Sequence, residues 1–250
     1  MPLPPLGLQT IIFGNKFNWD TQAEEFLDLL KNAGYLNLET GGPKDAQLFK
    51  KLLEARGMRL GGQHIAISGV KDPGPTIEYC QQLGCKDVCN SGLTKWGKLT
   101  LDDYRESIKI LNEMGKAFKK AGIEFHYHNH AFEFEKVDGN KNGMDVLFEG
   151  LDPDAVDFCI DVAWVHKGGE NPAQYLLKHN SRIGYLHLKD YQGDEWRELG
   201  KGVMDFKSIF KVLPELKRVR WAMVEQDNTK SDPLECITTS RKYLKETFGY

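Results

Sequence analysis

Cysteine is scarce and follows no plan. The five cysteines, Cys80, Cys85, Cys89, Cys159 and Cys236, are an odd set without the spacing of a disulfide framework. That points to reduced, mostly buried thiols and a cytoplasmic protein. Cys80, Cys85 and Cys89 straddle a helix end and the next strand, which is not the spacing of a zinc motif. No apolar run approaches the roughly 20 residues of a membrane span. The start, MPLPPLGLQT, lacks the basic and apolar regions of a secretion signal, and no membrane partner is expected. A basic excess is missing as well. The formal net charge is −3, with both signs spread along the chain, which argues against a nucleic-acid partner. No linker or low-complexity segment divides the 250 residues, so a single domain over 1–250 is expected. No Gly-rich phosphate fingerprint follows the first strand, which counts against an open doubly wound sheet.

What is present is alternation. Strand-like runs lie at 6–10, 35–40, 59–66, 86–92, 123–130, 156–164, 183–190 and 220–227. Helical spacing fills the gaps between them. One helix starts near a cap at Asp20 and stops at Gly34, a second closes at Gly57, and a long third one ends at Gly122. Glycine just after a helix is the usual left-handed stop. A last helix covers 232–247. Repeated strand–helix order implies a parallel sheet, and eight units imply closure into an α/β (β/α)8 TIM barrel.

Three of the seven histidines fall in EFHYHNHAFEFE, at His126, His128 and His130. Alternate residues of a strand share a face, so the imidazoles point one way and Phe125, Tyr127 and Asn129 the other. The aromatic side suits packing under helices. The histidine side then lines the barrel toward the strand's C-terminal end, where barrel enzymes keep their chemistry. A lone histidine of this kind is more often a hydrogen-bonded core residue, but buried polar groups need partners. The neighbouring strands offer them: Asp161, His187 and Glu225 each sit at or near the C-terminal end of strands six, seven and eight. Glu39 and His64 add polar groups from strands two and three. A solvated strand end or an ion pair is the plain alternative for each acid; four such placements on adjacent strands favour a metal site. Imidazole and carboxylate without thiolate suit one divalent ion, Mn²⁺, Co²⁺, Zn²⁺ or Fe²⁺, with Mg²⁺ less favoured.

At these residues the chain resembles the xylose-isomerase-like TIM-barrel superfamily of sugar isomerases and epimerases, whose members include D-tagatose 3-epimerase, hydroxypyruvate isomerase, inosose dehydratase and endonuclease IV. The likeness runs the length of the chain. It is carried by GIEFHYHNHAFEFE, CIDVAWVHKGGENPAQYL, IGYLHLKDY, ELGKGVMDF and MVEQDN. The resemblance implies a metal held by His128, Asp161, His187 and Glu225. His128 departs from the epimerase branch, which has Glu there and uses two metal-bound glutamates as opposed bases. Glu225 is then both ligand and base, and His130 or Glu133 moves the second proton. Trp164, where the epimerases place a substrate-binding histidine, offers a stacking face. Lys189 polarises a carbonyl oxygen or forms an ion pair. With Glu39 and His64, these two make up the expected substrate-binding set.

The activity implied is metal-dependent isomerisation or epimerisation of a sugar or keto-sugar through an enediolate. The alternative is a dehydratase or lyase acting on a keto-sugar or keto-glycoside, and a further one is a non-catalytic sugar-binding barrel. A nuclease reading conflicts with the acidic balance. The partner is a small-molecule sugar, and the resemblance leaves room for a homo-oligomer.

Overall fold

The computed structural model describes residues 3–250. The first two residues of the MPLPPLGLQT start lie outside the described residues. Eight strands form the sheet: β1 (Leu6–Gln9), β2 (Asn37–Glu39), β3 (Arg59–Ile65), β4 (Asp87–Ser91), β5 (Glu124–His128), β6 (Asp157–Asp161), β7 (Ile183–Leu188) and β8 (Trp221–Val224). Each pairs in parallel with its neighbours in chain order, and β8 returns to β1, so the barrel closes as the repeated strand–helix order requires. The surrounding helices are α1 (Trp19–Asn32), α2 (Ala46–Ala55), α3 (Gly74–Leu83), α4 (Leu101–Lys120), α5 (Gly143–Gly150), α6 (Val162–Lys167), α7 (Pro172–Lys178), α8 (Phe206–Val212) and α9 (Pro233–Phe248). Among the described residues, no helix is long and apolar enough to cross a membrane.

Local signals account for most helix ends. Gly34, Gly57 and Gly122 take positive φ after α1, α2 and α4, where a Cβ would be strained. Thr100 and Asp103 form a reciprocal capping box at the start of α4. The cap of α1 is Asn18, not Asp20: Asn18 Oδ1 accepts from the Asp20 N–H at 2.9 Å. Either side chain can cap, but Trp19 is drawn into the helix by packing on Phe26 and Phe49 (centroids 4.7 and 5.5 Å). Asp20 then turns to accept from the Lys44 N–H.

Side chains fill the barrel in three layers. At the N-terminal end, Asp87 accepts from Arg220 Nε (2.7 Å) and Nη2 (3.2 Å) and from Trp221 Nε1 (3.0 Å), and pairs with His126 Nε2 at 3.0 Å. Asp157, opposite His126 in register, pairs with Arg218 at 2.7 Å. Burial alone would raise the Asp87 carboxyl, but His126 and Arg220 hold it below its usual range. The middle layer is Cys89, Cys159, Tyr185 and Met223, all fully buried. Gly62 makes room for it, since a Cβ there would lie 2.4 Å from the Tyr185 hydroxyl. The five cysteines are free and buried. The third layer, at the C-terminal end, is polar.

Candidate metal centre and active site

The β5–β6–β7–β8 register sets the polar layer. His128 faces Cys159, Asp161 faces His187, and His187 faces Met223, two residues before Glu225. One ligand atom from each of His128, Asp161, His187 and Glu225 lies within 4.8 Å of all the others, and all four residues are buried. Asp161 is fixed as the N-cap of α6, with Oδ1 accepting from the Ala163 and Trp164 N–H groups. Its own N–H donates to Asn129 Oδ1 at 3.0 Å. This leaves Asp161 Oδ2 turned to the centre.

Asp161 Oδ2, His187 Nδ1 and Glu225 Oε2 are buried and make no hydrogen bond. Each has a charged neighbour near but out of alignment: His187 Nδ1 stands 2.5 Å from Glu225 Oε2, and Lys189 Nζ 3.1 Å from Asp161 Oδ2. Three orphaned polar atoms pointing into one space are what a cation site needs. Burial and the neighbouring His187 push the His128 imidazole well down, so it is neutral, the form that ligates. Burial works against ionisation of Glu225, but Lys189 and His187 outweigh it and keep the carboxylate charged. The donor set fits a divalent ion of the Mn²⁺, Co²⁺ or Zn²⁺ kind.

The surrounding residues hold the quartet. Glu39 is completely buried; its Oε2 meets His187 Nε2 at 2.8 Å and its Oε1 meets His64 Nδ1. Burial would raise its carboxyl, yet His187 and His64 bring it down to about 2. With Nε2 engaged by Glu39, His187 presents Nδ1 to the centre. Glu39, expected among the substrate-binding residues, thus stands against His187 on the side away from Glu225. His64 sits at the rim, bonded also to Ser91 Oγ. Lys189 is completely buried and pairs with Asp161, Glu225 and Asp227, the last at 2.6 Å. Burial disfavours its charge, but these carboxylates raise its pKa and keep it protonated. The rings of Trp164 and Trp196 cover it at 5.3 and 4.6 Å.

β5 ends at His128, so His130 leaves the barrel wall and stands at the rim with 18% of its side chain exposed. Its ring is 4.8 Å from that of His128. Glu133 is fully buried behind it, accepting from the Tyr127 hydroxyl (2.7 Å) and the His130 N–H (2.8 Å), with His130 Nδ1 at 3.8 Å. Glu133 can steady His130 but does not reach the centre. His126 is not part of this site; it belongs to the opposite end of the barrel.

The loop after β7 hangs on Asp190, whose carboxylate accepts from the N–H groups of Tyr191 (2.8 Å), Gly200 (2.9 Å), Gly202 (2.9 Å) and Met204 (3.1 Å). A Cβ on Gly202 would lie 2.2 Å from Asp190 Oδ1. Sequence reasoning missed Asp227, although alternation within the strand-like run 220–227 would have set it on the side of Glu225; the strand itself ends at Val224. It also missed Trp96, in an irregular loop where periodicity carries no signal, and Trp196, in a three-residue strand of the hairpin after β7, too short for alternation to be read.

Residues 16–247 match the model of the xylose isomerase-like TIM barrel family. The chain is 25% identical to the inosose dehydratase of Clostridium tetani over 89% of each chain. It superposes on a crystal structure of a sugar phosphate isomerase/epimerase from Parabacteroides distasonis with a TM-score of 0.79 and 26% identity, covering 99% of this chain and 96% of that one. The IOLI protein, solved with a zinc atom, shares the fold at a TM-score of 0.73 and 15% identity over 97% of each chain.

Proposed function

The chain belongs to the xylose isomerase-like TIM barrel family, and on that premise we propose that it is a divalent-metal-dependent lyase acting on a keto-sugar. It removes a proton from the carbon next to the carbonyl and expels an oxygen substituent one carbon further on. The carrying observation is the asymmetry of the rim. Just past β8 stands an ionised carboxylate, Glu225, while beyond β5 stands an imidazole, His130, backed by the buried Glu133. One base and one proton donor of different kinds suit an elimination better than a symmetric pair of bases does.

A divalent ion held by His128, Asp161, His187 and Glu225 would supply Lewis-acid stabilisation of the charge that develops on the carbonyl oxygen. Glu225 accepts the proton, and Lys189 and His187 keep it ionised for that task. His130 hands a proton to the departing oxygen. One C–H and one C–O bond break, a carbon–carbon double bond forms, and the leaving group departs as water or an alcohol. Glu39 orients His187, Glu133 orients His130, and Trp164 offers an apolar face for the ring. The name of the curated relative, a dehydratase, supports loss of an oxygen substituent.

The second reading is keto-sugar isomerisation or epimerisation, with His130 returning the proton to carbon. It is favoured by the name of the Parabacteroides distasonis structure. The test is incubation of the Mn²⁺-, Co²⁺- or Zn²⁺-loaded enzyme with keto-sugars and keto-glycosides in D₂O, followed by NMR. An unsaturated keto-sugar with free alcohol or water is the expected product. A deuterated epimer or isomer that keeps every oxygen substituent overturns the lyase.

A further inference from the structure

Beside His130 lies an open cleft of about 590 Å³ whose walls include Trp96, Phe132, Phe134 and Trp164. We propose that this cleft seats the leaving group of the elimination, and that the leaving group is an aromatic aglycone. The inference rests on the lyase reading and adds its substrate class. If the group at C1 of a sugar is to be expelled, the proton must leave C2, so the carbonyl stands at C3. The substrate is then a 3-keto-glycoside whose aglycone carries an aromatic ring.

Three observations converge. The cleft and the centre share His130: its ring stands 4.8 Å from that of His128, 5.1 Å from Trp96 and 5.5 Å from Trp164. The proton donor thus sits at the junction where a glycosidic oxygen passes from the centre to the cleft. Trp96 is 53% exposed, held edge-on to His130 and Phe132 (interplanar angles 81° and 70°). A large aromatic ring kept open to solvent beside a polar centre marks a binding surface. The third observation is the balance of the walls: four aromatic rings line the cleft, and beside His130 and the Trp164 indole N–H its polar side chains are Glu135, which is exposed, and Lys167. Lys167 also lines the cleft, but its ammonium lies over the rings of Tyr191 and Trp196 at 4.2 and 5.4 Å. A second sugar would bring a rim of hydroxyls with few partners, which is costly. An aromatic ring asks only for stacking and apolar area.

The test compares benzyl, methyl and glucosyl 3-keto-glucosides on the metal-loaded enzyme. Benzyl and methyl alcohol are similar leaving groups, so their ratio reads the cleft. Benzyl should be preferred over methyl by roughly tenfold in kcat/KM, the range of one good stacking partner, and Trp96→Ala and Phe132→Ala should each bring that ratio toward one. Equal benzyl and methyl rates in wild type, with elimination intact, overturn the aromatic subsite alone. A glucosyl preference overturns it in favour of a second sugar. If no glycoside is eliminated, the lyase reading fails, and calorimetry with unoxidised benzyl and methyl glucosides decides the cleft. Tighter benzyl binding that Trp96→Ala abolishes supports an aromatic site, and equal binding removes it.

Discussion

His126 and His128 stand two residues apart on one face of β5, and the two ends of the barrel treat them differently. Below, His126 lies between Asp87 and Asp157, and each of these carboxylates has an arginine, Arg220 and Arg218. Above, His128 is neutralised by burial, Asp161 and Glu225 crowd together, and a single ammonium, Lys189, is shared by three acids. The lower end matches charge with charge and so closes the barrel. Both ends leave buried atoms without aligned partners, His126 Nδ1 and Asp157 Oδ1 below, but above three of them, on Asp161, His187 and Glu225, belong to one cluster of mutually close ligand atoms that a bound cation would relieve.

The sharpest way to test that contrast is to remove ligands. His187→Ala and Glu225→Ala should each abolish metal retention, read by elemental analysis, and lower kcat by roughly a thousandfold or more. A metal-loaded, active Glu225→Ala would break the comparison at its upper end.

At the lower end the loss falls on stability instead. Asp87→Asn should cost about 2–3 kcal/mol in urea unfolding while metal content and kcat of the folded protein stay near wild type. Because the folded Asp87 carboxyl is held below its usual 3.8, its contribution is complete above that value and is lost as pH falls through the lowered one. The stability gap between wild type and Asp87→Asn should therefore narrow in acid. A gap that does not change with pH would remove the carboxylate from the account.

Next in size is the rim. His130→Gln should lower kcat about a hundredfold on a poor alcohol leaving group, lower it less on nitrophenol, which departs without help, and leave metal content intact. Glu133→Gln should give a smaller fall, with kcat changed more than KM, since it acts by positioning His130. The smallest effect belongs to Glu39→Gln. Metal affinity should weaken by about tenfold, measured by competition with a chelator, with the fold unchanged.

Much of this was legible beforehand, and for a stated reason. Strand alternation is a strict period, so once the eight strands are read, His128, Asp161, His187 and Glu225 fall on inward faces at one height. The same rule mistook His130 for a third wall residue, because nothing in NHAFEF marks the end of β5 at His128. Glu39 and Glu133 were found as polar groups, but their contacts with His187 and with Tyr127 were not foreseen. Whether an acid meets substrate or braces a histidine depends on side-chain reach across the barrel, and no local pattern records that. Trp96 was invisible for a different reason: its loop has no period, and its place beside His130 is a contact between separate strand–helix units.

Asp190 ties four backbone amides to one carboxylate, and this fixes how the loop after β7 comes apart. Tyr191, Gly200, Gly202 and Met204 have no independent anchors in that carboxylate, so their amide protons should exchange with solvent deuterium at one shared rate, as a single opening unit. Trp196 rides on the hairpin this unit carries. Opening of that unit would lift the Trp196 ring away from Lys189 while the Trp164 ring, carried by α6, stays over it.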